Sequence, residues 1–139
     1  MSQPLIKEQT YHAPVEEVWA ALTDKAQMKQ WYFDVDDFEP RPGFEFSFTG
    51  QNEGTTFLHR CRVIDVIPLR RLSYTWRYEG YPGESIVSFE LFPEGDHTRL
   101  VLTHAGLDTF PQDDPNFARN NFSEGWNHIT GKSLKEYLE

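Results

Sequence analysis

Few residues in this chain could do chemistry, and their spacing narrows the choice. The candidates are five histidines, one cysteine, six tyrosines and two acidic runs. His104 follows a run of alternating apolar residues and shares a strand face with Leu100 and Leu102. A neutral imidazole there could donate to a ligand or act as a general acid or base near neutral pH. It could also be a structural histidine, bonded to a neighbouring strand or to the last helix. The second reading is favoured, because no carboxylate has an obvious register beside it. His59 shares a face with Cys61 and Val63, and His128 lies off the main stripe of its helix. The histidines and the cysteine have no metal-ligand spacing, and HExxH and CxxC are absent. No metal or cofactor is therefore expected, and Cys61, in mid-strand, is expected to be an inert core thiol.

Two other patterns carry less than they suggest. Gly131-Lys132-Ser133 resembles the end of a phosphate-binding loop. That motif needs four residues between its glycines, whereas five separate Gly125 from Gly131. No strand precedes it, and Trp126, Ile129 and Thr130 follow a helical period. Gly131 is better read as the place where a helix approaches a sheet closely. The acidic run Asp34, Asp36, Asp37 and Glu39, like the pair Asp113 and Asp114, lacks the spacing of a calcium loop and reads as solvated loop.

Composition bounds the partners. The net charge is -9, which argues against nucleic acid, whose phosphates demand a basic face. It also disfavours anionic membranes. No apolar run approaches the roughly 20 residues of a membrane helix, and the first residues lack the pattern of a signal peptide. One cysteine allows no internal disulfide, so a cytoplasmic location is expected. The sequon Asn121-Phe122-Ser123 is treated as chance. At 139 residues a single domain with one core is expected.

The elements that would position a site are marked by aromatic residues, 15% of the chain. A strand is expected at residues 5–11. A helix at 14–23 has Pro14 in its first turn, acidic Glu16 and Glu17, and a stripe of Val15, Val18, Trp19 and Leu22. A second helix at 25–32 turns Met28 and Trp31 inward. Five strands follow at 44–49, 57–67, 72–78, 85–92 and 98–105, separated by Gly- and Pro-bearing turns that suit an antiparallel meander. They place Phe44, Phe46 and Phe48 on one face, then Leu72, Tyr74, Trp76 and Tyr78, then Val87, Phe89 and Leu91, then Leu100, Leu102 and His104. A long loop at 106–121 holds a short helical turn near 116–119. The last helix is expected at 123–138, with Ser123 as its N-cap. Trp126, Ile129, Thr130, Ser133, Leu134 and Tyr137 would share its inner face.

The order of these pieces is familiar. The run Ala13-Pro14-Val15-Glu16-Glu17-Val18-Trp19-Ala20-Ala21-Leu22-Thr23-Asp24 resembles the N-terminal signature of the START-like superfamily. The nearest branch is the family related to the C-terminal domain of the Hsp90 ATPase activator. Met28-Lys29-Gln30-Trp31, Pro42-Gly43-Phe44-Glu45-Phe46, Leu72-Ser73-Tyr74-Thr75-Trp76, Leu102-Thr103-His104 and Gly125-Trp126 agree in order. The resemblance implies an α+β, helix-grip (Bet v 1-like) fold. A curved antiparallel sheet of about six strands surrounds a long C-terminal helix, with two short helices after the first strand. It does not imply one function, since fold is a poor guide to chemistry here.

The expected activity is binding of a small hydrophobic or aromatic molecule in a cavity between sheet and C-terminal helix. The candidate lining is Trp31, Phe46, Phe48, Tyr74, Trp76, Phe89, Leu102, His104, Trp126, Thr130 and Leu134. Tyr74, Tyr78 and Tyr137 would bring hydroxyls to its interior or rim. A chaperone or other protein is the alternative partner, and a cyclase- or hydrolase-like enzyme the second alternative. A monomer with no nucleic-acid or membrane partner is expected.

Overall fold

The computed structural model describes residues 3–52 and 54–139. Strand β1 (Leu5–Tyr11) leads into α1 (Val15–Thr23) and α2 (Lys25–Trp31). Helix α1 begins one residue later than expected, with Pro14 as its cap, and the Pro14 carbonyl accepts from the amides of Glu17 and Val18 at 3.0 and 3.2 Å. Asp24 caps α2, its carboxylate accepting from the Ala26 amide at 3.2 Å. The acidic connection that follows is solvated only in its charges. Val35 and Phe38 are buried, and Asp36 accepts from the Ser47 amide and hydroxyl at 2.8 and 3.2 Å.

The remaining strands are β2 (Glu45–Asn52), β3 (Thr55–Ile67), β4 (Arg71–Tyr78), β5 (Ser85–Glu94) and β6 (His97–Ala105). They form one antiparallel sheet in the order β1-β6-β5-β4-β3-β2. Strand β6 alternates without a break, burying Thr98, Leu100, Leu102 and His104, as period-2 geometry requires of a strand with one covered face. The register of β3 on β4 shifts between Val63 and Asp65. Such a bulge bends the strand, which helps the sheet curl around the helix.

That helix is continuous but not uniform. It comprises α3 (Arg119–His128), a π-helical turn (Ile129–Ser133) and α4 (Leu134–Leu138). It begins at Arg119, earlier than expected, and Ser123 lies inside it rather than at its cap. Ala118 offers no side-chain cap. The start is held instead by Arg119, which donates to the carbonyls of Gln3 and Pro4 at 2.6 and 3.1 Å, and by Asn121, which donates to the Pro115 carbonyl at 2.7 Å. Phe122, Trp126, Thr130 and Leu134 face the sheet. Tyr137, expected inside, is exposed and donates to Gln27 of α2 at 3.0 Å. A Cβ added to Gly131 would lie 3.0 Å from the Gln9 side chain of β1. The bare backbone at that position therefore lets the helix come close to the sheet.

The segment expected as loop carries two 3-10 turns, Leu107–Thr109 and Pro115–Phe117. It buries Leu107, Phe110 and Phe117. Gly83 sits directly beneath it: an added Cβ would meet the Thr109 carbonyl at 2.4 Å, and its φ of +105° suits only glycine. Among the described residues no helix is long and apolar enough to cross a membrane.

Candidate functional site

All eleven candidate lining residues are buried, at most 4% exposed, and most of them fill the interior. Trp31 donates its indole N–H to the Ala21 carbonyl at 2.9 Å, tying α2 to α1. Phe46 packs edge-on to Tyr74 at 5.0 Å. Tyr74 shares a 2.6 Å hydrogen bond with the hydroxyl of Tyr32, and burial holds both phenols well above their ordinary pKa. Phe89 lies between Tyr74 and Trp126, at 5.9 and 6.1 Å. Thr130 uses its hydroxyl on the Trp126 carbonyl at 2.7 Å, while its own carbonyl accepts from Tyr11 at 2.6 Å. Leu102 and Leu134 are sealed from solvent.

His104 has a structural place. One ring nitrogen, Nδ1, accepts from the Trp126 indole N–H at 3.0 Å, and Nε2 lies 2.7 Å from the Ser85 hydroxyl. The indole bond requires Nδ1 to be unprotonated, so the neutral ring carries its proton on Nε2. Ser85 accepts that proton and donates to the Trp76 carbonyl at 3.0 Å. Burial pushes the His104 pKa down to about 3. With both nitrogens engaged, the ring pins the C-terminal helix to the sheet. Cys61 is buried and its thiol is pushed far up by burial, which leaves it protonated and unreactive.

Beside Trp76 and Trp126, the two indoles that also touch His104, the interior is open. A pocket of about 210 Å³ lies between β2–β4, the Pro115–Phe117 turn and α3. Of the eleven candidates, Trp76 and Trp126 border it. The other walls are Phe33, Phe57, His59, Tyr78, Phe117, Phe122 and Ile129, with Gln51, Asn121 and Gly125 at its exposed rim. Strand parity puts His59 and Tyr78 on inner faces, so their signal was legible. Phe33 and Phe117 come from irregular segments, where no period marks an inward side chain.

His59 is the polar centre of these walls. Its ring stacks on Phe48 at 4.4 Å and meets Trp76 edge-on at 4.9 Å. Its Nδ1 lies 3.2 Å from the Phe57 carbonyl, a contact that places the proton on that nitrogen. Burial lowers its pKa to about 4, against a smaller upward pull from the Phe57 and Phe48 carbonyls. The ring is thus neutral at pH 7. Tyr78 accepts from the Trp76 indole N–H at 2.9 Å, which leaves its own hydroxyl proton to donate. Burial raises its pKa, so it remains a neutral donor. A larger depression, about 350 Å³, lies on the outer face of the sheet among Asp36, Glu45, Arg60, Arg62 and Arg77. Its charges have both signs and lie apart from the aromatic interior.

The comparisons agree with this fold. The family model described as Activator of Hsp90 ATPase homolog 1-like protein matches residues 12–139. MLL2253 from Mesorhizobium loti superposes with a TM-score of 0.79 at 26% identity, over 98% of this chain and 96% of that one. CalU16 from Micromonospora echinospora gives 0.74 at 29%, over 98% and 76%. DynU16, a protein of the dynemicin biosynthetic locus, gives 0.79 at 23%, over 99% of this chain. This chain spans about half of DynU16, 48% of its length, and the likeness at that identity is one of fold. No protein with a curated description matches the sequence significantly. With the model matched over nearly its whole length and the helix-grip fold in place, the chain belongs to the Activator of Hsp90 ATPase homolog 1-like family, within the START-like superfamily.

Proposed function

We propose that the chain binds a small, neutral, aromatic molecule in the pocket between β2–β4 and α3. The observation that carries this reading is the composition of the walls. They are aromatic and aliphatic, with no charged side chain among them, and their two titratable groups, His59 and Tyr78, are neutral at pH 7. Pockets with mostly apolar walls and a few placed polar groups are the usual form of small-molecule sites. The volume falls below the roughly 300 Å³ at which drug-sized sites begin, so one ring or a fused pair is the ligand size supported. Tyr78 and the amides of the rim would orient a hydroxyl or carbonyl on it. Binding is favoured over catalysis because His104 spends both nitrogens on structure and Cys61 is a protonated core thiol. The family's description names a chaperone activator; the pocket is the firmer observation for this chain.

The test uses 2-naphthol as probe and the indole N–H signals of the four tryptophans. Trp76 and Trp126 are expected to shift on titration, and Trp19 and Trp31 to stay. Gly125 provides the control. It lines the pocket, and a Cβ added there meets nothing within 4 Å. Gly125→Leu should occupy the mouth and weaken binding by roughly tenfold or more while the fold is kept. Shifts confined to the outer-face arginines, or undiminished binding by Gly125→Leu, would overturn the proposal.

A further inference from the structure

The turn between β5 and β6 lies at the far end of those strands from the pocket. Glu94 pairs with His97 across the two-residue turn Gly95-Asp96, with Gly95 at φ +69°. Strand β1 pairs with β6 as far as Tyr11 opposite Thr98, and one further step of that register brings His12 across from His97. The two imidazole centroids are 4.4 Å apart. Asp96 stands between them, with Oδ1 2.7 Å from His97 Nδ1 and Oδ2 3.8 Å from His12 Nε2. Residues that look scattered along the chain are therefore gathered in space.

We propose that His12, Asp96 and His97 form a site for a divalent transition cation of the zinc type. Two imidazole nitrogens and one carboxylate oxygen, all within 4.8 Å of one another, are a donor set suited to zinc, nickel or copper. Calcium and magnesium demand oxygen donors in greater number. Zinc bonds of about 2.0–2.1 Å set tetrahedral ligand atoms roughly 3.4 Å apart. Reaching that spacing takes side-chain rotations of about an ångström, available because the three side chains are 67%, 75% and 41% exposed. Water would complete the coordination. Glu139 lies alongside, its Oε2 accepting from the His12 amide at 2.9 Å and the Lys135 ammonium at 3.0 Å. The bound cation would clip the end of β1, just before α1, to the β5–β6 turn, and so would stabilise the native state by mass action.

The experiment is calorimetric titration of the untagged chain with zinc chloride, and separately with calcium chloride. One zinc per chain is expected, with a raised melting temperature at excess zinc and no comparable response to calcium. The double substitution His12→Asn with His97→Asn should weaken zinc binding by roughly tenfold or more, and Asp96→Asn by less. All three side chains are solvent-facing, so circular dichroism should report an unchanged fold. Substoichiometric cobalt should broaden the ring signals of His12 and His97 before those of His128. Zinc bound equally well by the double variant, calcium bound as tightly as zinc, or cobalt broadening that begins at His128 would each overturn the proposal.

Discussion

His104 and His59 stand on the inner face of the same sheet, and each is depressed in pKa by burial. Around His104 the interior is closed. The ring is wedged between Ser85 and Trp126, and farther along the helix the Tyr11–Thr130 bond and the bare backbone of Gly131 draw it onto the sheet. Around His59 it is open. The ring stacks on Phe48, uses a backbone carbonyl, and faces a pocket that the helix and the Phe117 turn do not fill. The two ends have similar aromatic content. What separates them is whether polar side chains fasten the helix to the strands. Fastening consumes the polar groups of His104 and Trp126, whereas Tyr78 at the pocket keeps a proton to donate.

The contrast is tested most severely at the fastening itself. Trp126→Ala removes a buried indole and orphans Nδ1 of His104, so urea unfolding should show a loss of about 3–5 kcal/mol. A loss under about 1 kcal/mol would mean that the closed end is not held this way. Acidification acts on both ends together. Each histidine binds a proton in the unfolded chain below its ordinary pKa of 6.5, but in the folded chain only near 3 for His104 and near 4 for His59. The unfolded state therefore holds more protons in that window. Stability is complete above pH 6.5 and falls as pH drops, by up to about 1.4 kcal/mol per pH unit per histidine. His104→Gln and His59→Gln should each remove one share of that slope; an unaltered slope would assign it elsewhere.

Tyr11→Phe is a milder probe of the closed end. It deletes the donor to the Thr130 carbonyl and should cost about 1–2 kcal/mol, without changing affinity for 2-naphthol. A change in affinity would show that the two ends are coupled. The smallest effect on stability belongs to Gly125→Leu at the open end. Replacing a helical glycine should leave stability unchanged or raise it by up to about 1 kcal/mol, as thermal unfolding would report. A clear destabilisation would show that the open end has no room at that position.

Much of the architecture was legible because it repeats. Alternation in β6 and the spacing of Val18 and Leu22 in α1 are periodic signals, and the structure follows them. The errors fall where periodicity ends. Ser123 looked like a cap because its type suits one, yet the helix starts at Arg119, held by the chain's own N-terminal carbonyls, a long-range contact that no local pattern encodes. Tyr137 lies off the inner face because the π-helical turn before it interrupts the period that its spacing suggests. For the candidate site, parity put Trp76 and Trp126 on inner faces but could not say which inner residues border space. Phe33 and Phe117 reach the pocket from segments without a period. Asp96, His97 and His12 meet only through strand register.

The π-helical turn bears on how the two ends can change. Phe122, Trp126, Thr130 and Leu134 recur every four residues, while an α-helix advances about 100° per residue. Each step therefore overshoots a full revolution by about 40°, and three steps would swing Leu134 about 120° away from Phe122. The wider ring at Ile129–Ser133 accommodates one extra residue and takes back about 100° of that drift. The turn works as a phase corrector between the two halves of the helix. Deleting one residue from it should convert the turn to ordinary α-helix and keep both Trp126 and Leu134 on the sheet face, since eleven residues at about 100° each fall about 20° from three full revolutions.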